Sequence, residues 1–290
     1  MKARLPPWFK QKLADPMIMS SMKGLLEAQS LHTICESARC PNIGNCFSHG
    51  TATFLILGDI CTRRCTFCAV KKGHPSPLDD EEPRHLLEAA EKLDLKYIVI
   101  TSVTRDDLAD GGASQFARAI KMLHENRSGA IVEVLTPDFR GSVPAIKTVV
   151  EARPEVFNHN IETVPRLYPE VRPRADYERS LELLFTVKKL DPEIVTKSGL
   201  MLGLGETRAE VVAVMSDLRE ASCDLLTIGQ YLQPSPEHHP VVRFISPEEF
   251  AGYESTGKEM GFAQVASAPL VRSSFRAAEL YARAKSVKQN

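Results

Sequence analysis

The sequence predicts an α/β fold: a parallel (β/α)6 partial TIM-like barrel with N- and C-terminal extensions capping its mouth. Three observations point to it. Six apolar runs of strand length recur after residue 50, segments of helical periodicity separate them, and no hairpin turn joins one run to the next. Strands joined through a helix pair parallel, because the helix carries the chain back across the sheet. Six such units exceed a short open sheet, and 290 residues, 43% of them apolar, supply a core of that size.

The runs, in order, are TFLILG (53–58), YIVITSV (97–103), AIVEVLT (130–136), VFNHNIE (156–162), VTKSGLMLG (195–203) and LLTIGQYLQ (225–233). Between them, Leu86, Ala90 and Leu93 share one helical face, as do Phe116, Ile120 and Leu123. Thr207 with Glu210, and Ser246 with Pro247 and Glu249, are capping boxes that start helices. No Gly-x-Gly-x-x-Gly follows a run, which weakens a dinucleotide-binding reading. The flanks differ: residues 1–50 are irregular and proline-broken, and residues after 245 add a helix, a short extended segment and a terminal helix pattern. The expected division is therefore 1–50, 51–244 and 245–290.

Charge narrows the function. With 36 Lys and Arg against 37 Asp and Glu, neither a nucleic-acid footprint nor a polybasic membrane anchor is expected. No apolar run reaches membrane-spanning length and the N-terminus lacks a secretory core, so a cytoplasmic location is expected. Lys2, Arg4, Lys10 and Lys12 around Trp8 suggest a solvated basic arm, or a docking arm for an acidic carrier domain.

Six of the seven cysteines fall between Cys35 and Cys68. A signal-less chain of this size disfavours a disulfide framework and favours metal ligation. Cys61, Cys65 and Cys68, spaced C-x3-C-x2-C, follow the first strand, where barrel active sites form. Three thiolates can hold three irons of a [4Fe–4S] cluster and leave one iron open. Zinc remains an alternative, with His74 the nearest fourth donor. Cys35, Cys40 and Cys46 form a second trio with the same two readings, whereas the lone Cys223 reads as a core residue.

CTRRCTFC, with Phe67 before its last cysteine, resembles the cluster loop of the radical S-adenosylmethionine superfamily. Within it, ARCPNIGNC, FLILGDICTRRC, SVTRDDLADGGA, FNHNIETV, KSGLMLGLGET and RSSFRA are similar, in order, to the motifs of lipoyl synthase, covering about residues 30 to 277. The resemblance implies that S-adenosylmethionine chelates the open iron held by Cys61, Cys65 and Cys68, and is cleaved to a 5′-deoxyadenosyl radical. It also implies a second, auxiliary [4Fe–4S] cluster on Cys35, Cys40 and Cys46, with Ser274 of the C-terminal extension as fourth ligand, donating sulfur to C6 and C8 of an octanoyl chain. Read without the resemblance, Ser273-Ser274 is a helix N-cap. The implied carriers are the E2 subunits of 2-oxoacid dehydrogenases and the glycine cleavage H protein. A low-potential donor such as ferredoxin or flavodoxin, and an iron–sulfur cluster assembly protein, are further implied partners.

Residues on the strand ends complete the expected site. Thr101 and Ser102 are candidates for the methionine carboxylate or the adenine, Glu162 for the ribose hydroxyls, Asn158 for another contact to the same cosubstrate, and Lys197 for the carboxylate. Arg105, Asp106, Asp107 and Asp110 sit beside the cluster loop, although Asp110-Gly-Gly also reads as a turn. His238 and His239 read as loop residues. The chain departs from the family pattern at Asn45, Phe47, Thr104 and Phe275, the last replacing a tyrosine. Two rivals remain at this level: a methylthio-transferring radical enzyme without the serine ligand, and a non-catalytic two-zinc module.

Overall fold

In the computed structural model, which describes residues 5–10, 15–29, 31–48 and 52–288, all six runs form strands. Lys2, Arg4 and Lys12 of the basic arm lie outside the described residues. In chain order the strands are β1 (His32–Thr33), β2 (Thr53–Ile56), β3 (Ile60–Cys61), β4 (Lys71–Lys72), β5 (Tyr97–Ser102), β6 (Ile131–Leu135), β7 (Val156–Asn158), β8 (Val195–Leu202), β9 (Leu225–Gln230) and β10 (Gln264–Ser267). The main sheet runs β1-β2-β5-β6-β7-β8-β9-β10, parallel throughout except for the antiparallel β1–β2 pair. The two extensions thus contribute its edge strands. The β3–β4 pair stands apart at the mouth, with Cys61 opposite Lys72.

Alternation along the strands sorts the core. Phe54, Ile98, Ile100, Val132, Val134, Phe157, Leu226 and Ile228 belong to the larger apolar cluster, with residues of the surrounding helices. Val156, Val195 and Leu225 have the opposite parity, at the N-terminal ends of their strands. They pack on Leu280 and Ala284 of the helix Ala277–Lys288. This helix closes the end of the barrel away from the mouth, with Tyr281 6.0 Å from Tyr97 ring to ring.

Both capping boxes form, at Thr207 and at Ser246. Phe116, Ile120 and Leu123 are buried together on the helix Ala113–Asn126. Two expectations need correction. Leu93 caps the helix Glu82–Lys92 rather than lying within it. The run VFNHNIE leaves the sheet after Asn158, and Glu162, at a left-handed φ of 64°, rejoins β8 through a bridge to Leu200.

Candidate active site

The first cysteine trio is carried on a loop tied down from three sides. Thr62 N–H donates to Thr104 O at 3.0 Å, and Asp106 N–H to Thr62 Oγ1 at 3.1 Å. Arg63, 5% exposed, is paired bidentately with Asp106 (2.8 and 2.9 Å) and with Asp138 (2.9 and 2.6 Å). Burial works against the Asp138 charge, but the hydrogen bonds and charge of Arg63 outweigh it and hold the carboxyl below the ordinary range. On the far side, Thr66 N–H donates to Val171 O and His239 N–H to Thr66 O, both at 3.0 Å. His238 Nε2 reaches Cys68 O at 3.2 Å, so both histidines grip the loop, a role their sequence context concealed.

The second trio rests on short turns. Cys35 lies in the helix Ile34–Ser37, capped by Thr33, and Cys46 in the helix Ile43–Ser48. Cys40 N–H donates to Cys35 O at 2.9 Å. Burial pushes the Cys35 thiol up to about 11 and that of Cys46 up to about 12, and the other two cysteines add to the Cys46 shift. Burial likewise raises Cys40, Cys65 and Cys68, the last to about 12. Burial thus holds these thiols protonated in water, and a metal would have to displace their protons to bind them. All seven cysteines are free.

The C-terminal segment lies across the barrel beside this trio. Asn42 Nδ2 donates to Leu270 O at 2.6 Å. A Cβ at Gly229 would come within 2.0 Å of Val271 O, and one at Gly199 within 2.9 Å of Ser273 Oγ. Glycine inside a strand thus marks the close approach of another segment, a signal the sequence carries. Ser273 Oγ donates to Asn160 Oδ1 and Thr53 Oγ1 to Ser274 Oγ, both at 2.8 Å. Ser274 therefore faces the Cys35 side of the barrel, and its hydroxyl does not cap the helix that begins at Ala277.

A cavity of about 500 Å³ joins these parts, lined by Cys35, Cys40, Cys61, Cys65, Cys68 and Ser274, with Phe67, Thr101, Ser102 and Glu162 among the remaining walls. Cys46 does not line it, although its thiol is near enough to Cys35 and Cys40 to feel both. Ser102 Oγ and Thr136 Oγ1 are buried without a hydrogen-bond partner, so the walls offer free polar groups to a ligand. Thr101 Oγ1 donates to Leu135 O at 2.9 Å and is not free in this way. Burial raises the Glu162 carboxyl, while Arg172 and Asn160 pull it down. Arg172 lines the same cavity, donates to Asn160 O and Ile161 O, and keeps Nε unpartnered.

Two expected contacts lie elsewhere. Lys197 and Asn158 are fully buried below the cavity, where Lys197 Nζ contacts Glu133 at 2.8 and 3.0 Å and Asn158 Nδ2 donates to Glu133 Oε1 at 3.0 Å. A buried lysine takes a carboxylate partner where one is in reach, and here Glu133 is that partner rather than a cosubstrate. Arg105 and Asp107 pair with each other, and Asp110 accepts from Gly112 and Ser114 at a helix start. His74 is exposed and does not line the cavity. Among the described residues no three Cys, His, Asp or Glu side chains are gathered as for a single metal ion. Thiols on the walls of one cavity, with unpartnered hydroxyls among them, are nonetheless donor types that an iron–sulfur site and a polar cosubstrate would use.

Residues 55–218 match the model of the Radical SAM superfamily. The chain is 57% identical over 277 residues to lipoyl synthase of Caldanaerobacter subterraneus, covering 96% of this chain and 97% of the relative. It is 56% identical to that of Rubrobacter xylanophilus, covering 94% and 85%. The chain belongs to the lipoyl synthase family. The fold is shared with the FeFe-hydrogenase maturase HydG from Carboxydothermus hydrogenoformans (TM-score 0.56, 13% identity, 92% of this chain and 77% of that one). Streptococcus suis SuiB bound to S-adenosylmethionine is similar too (TM-score 0.54, 9% identity, 75% and 49%). As a lipoyl synthase, the protein is a radical S-adenosylmethionine sulfurtransferase that works with a [4Fe–4S] cluster and acts on lipoyl carriers. Among the described residues no helix is long and apolar enough to cross a membrane.

Proposed function

We propose that the cavity holds an octanoyl chain between two [4Fe–4S] clusters and that sulfur enters it at C6 and C8. Cys61, Cys65 and Cys68 hold the cluster that binds S-adenosylmethionine; Cys35, Cys40, Cys46 and Ser274 hold the auxiliary one. The observation that carries this reading is the meeting of Cys61, Cys65 and Cys68 with Cys35, Cys40 and Ser274 at one cavity, drawn from three parts of the chain. When bound, the clusters supply the electron for cosubstrate cleavage and the sulfur for insertion.

The chain's own residues position and exclude. Ser102 and Glu162 bind the cosubstrate beside Phe67, with Thr101 behind them; Arg172 takes the carboxylate role expected of Lys197. Asn158 and Lys197 serve as the floor, fixing strands β6 to β8 through Glu133. The apolar remainder of the cavity keeps water from the reacting carbons. In this reading residues 1–50 are the auxiliary-cluster extension, 51–244 the radical barrel and 245–290 the extension that brings the serine. The carriers are E2 subunits of 2-oxoacid dehydrogenases and the glycine cleavage H protein. A ferredoxin or flavodoxin supplies electrons in the cytoplasm, and an assembly protein rebuilds the consumed cluster.

The deciding experiment is the intact mass of an octanoyl-lysine peptide after anaerobic incubation with reconstituted protein, S-adenosylmethionine and reductant. Gain of two sulfurs is expected, with few turnovers. An unchanged peptide beside fresh 5′-deoxyadenosine removes the substrate assignment. Sustained turnover by the isolated protein removes the sacrificial cluster.

A further inference from the structure

Thr53, the first residue of β2, is buried between groups from opposite ends of the chain. Its hydroxyl donates to Ser274 Oγ at 2.8 Å, and Thr53 lies beside the Cys35 thiol. At 3% exposure, neither contact competes with bulk water. Cys35 reaches Thr53 because β1 pairs antiparallel with β2, Thr33 opposite Phe54. Ser274 reaches it because Val271 and Arg272 occupy the space that a side chain at Gly229 would fill.

We propose that Thr53 is a positioning residue for the auxiliary site: its hydroxyl aims Ser274 Oγ at the Cys35 trio and keeps the bond from Ser274 to iron weak. The inference rests on the reading of Ser274 as fourth ligand. Proton count sets the direction. On iron, Ser274 is an alkoxide that only accepts, so Thr53 donates. A hydrogen bond to an alkoxide draws charge from the oxygen, and an oxygen with less charge gives less to iron. When Ser274 leaves iron, the electron pair of the bond stays on its oxygen and a proton from water neutralises it. No electron is gained or lost in that exchange. Thr53 thereby favours release at the corner of the cluster where sulfur must depart.

Thr53→Val removes the hydroxyl and keeps the shape; Thr53→Ser keeps the hydroxyl. In the reconstituted holoenzyme, T53V is expected to retain its iron and cleave S-adenosylmethionine at the wild-type rate. Its auxiliary-cluster Mössbauer spectrum should shift at one iron, and the first sulfur transfer should slow about 10-fold, the low end for loss of a group that orients a metal ligand. T53S should restore both. A T53V enzyme with wild-type spectrum and wild-type transfer overturns the proposal. So does loss of the cluster in T53V that T53S fails to recover, since packing then explains it. Ser274→Ala separates the two readings. An unchanged auxiliary spectrum in S274A removes the serine ligand altogether. A changed one there, beside an unchanged one in T53V, removes the role of Thr53 alone.

Discussion

Five of the six cysteines of the two trios line one cavity, but the trios stand on unlike supports. The Cys61 trio sits on a loop bolted by a buried guanidinium between two carboxylates and gripped from behind by His238 and His239. The Cys35 trio sits on two short helices tied to the rest, among the described residues, by a two-residue strand and by hydrogen bonds such as that of Asn42 to Leu270 O. A cluster that must survive every turnover needs a support whose geometry does not relax. One that is dismantled and rebuilt needs a support that opens. The contrast suits a permanent and a sacrificial cluster in the same chain.

Removing ligands is the largest perturbation. Cys65→Ala is expected to abolish 5′-deoxyadenosine formation, whereas Cys40→Ala should leave it running and abolish sulfur gain; chromatography and peptide mass separate the two. If Cys40→Ala stops cosubstrate cleavage as well, the clusters do not act independently. Next comes the support itself. Arg63→Gln leaves Asp138 buried without its main partner and should cost about 3–5 kcal/mol. Asn42→Ala should cost about 1 kcal/mol. Urea denaturation of the apo protein measures both, and equal costs would erase the asymmetry between the supports.

Much of this was legible in the sequence, for local reasons. The strands follow from apolar runs, the helix starts from Thr207 and Ser246, and the cluster loop from cysteine spacing, all of them short-range signals. Depth within the barrel was not legible. Lys197 and Asn158 lie on the strands expected, but only the meeting of Lys197 with Glu133, 64 residues away, shows that they sit beneath the cavity. Likewise nothing near Arg63 in the sequence shows its partner, since Asp138 arrives from 75 residues on. Arg172, between Val171 and Pro173, gave no periodic signal. Gly199 and Gly229, as glycines inside strands, mark a close approach, but only the structure shows that the approaching segment is the one that brings Ser274.

Acid should test the firmer support. His159, buried with its ring nitrogens on Thr136 O (2.9 Å) and Ser180 Oγ (3.1 Å), has its pKa lowered to about 4, chiefly by burial and then by Arg172. The unfolded chain takes up this proton near 6.5 and the folded chain near 4, so between them the unfolded state binds more protons. The stability from the neutral ring is complete above about 6.5 and drains away as pH falls to about 4, by about 3 kcal/mol. His159→Gln should flatten that part of the pH profile of apo-protein stability. An unchanged slope would mean that other groups carry the acid sensitivity.

The smallest expected effect lies on the softer support. Phe275 follows the serine segment, half-buried, with the Arg276 guanidinium 5.5 Å from its ring centroid. Phe275→Tyr keeps the ring and that contact and adds the hydroxyl usual in the family, so apo stability should move by less than about 0.5 kcal/mol. The auxiliary-cluster spectrum should not move, because Ser274 is already held by Thr53 and its neighbour Ser273 by Asn160. A shifted spectrum would show that the segment is set by its ring as well as by its two serines. The softer support would then be firmer than its hydrogen bonds alone imply.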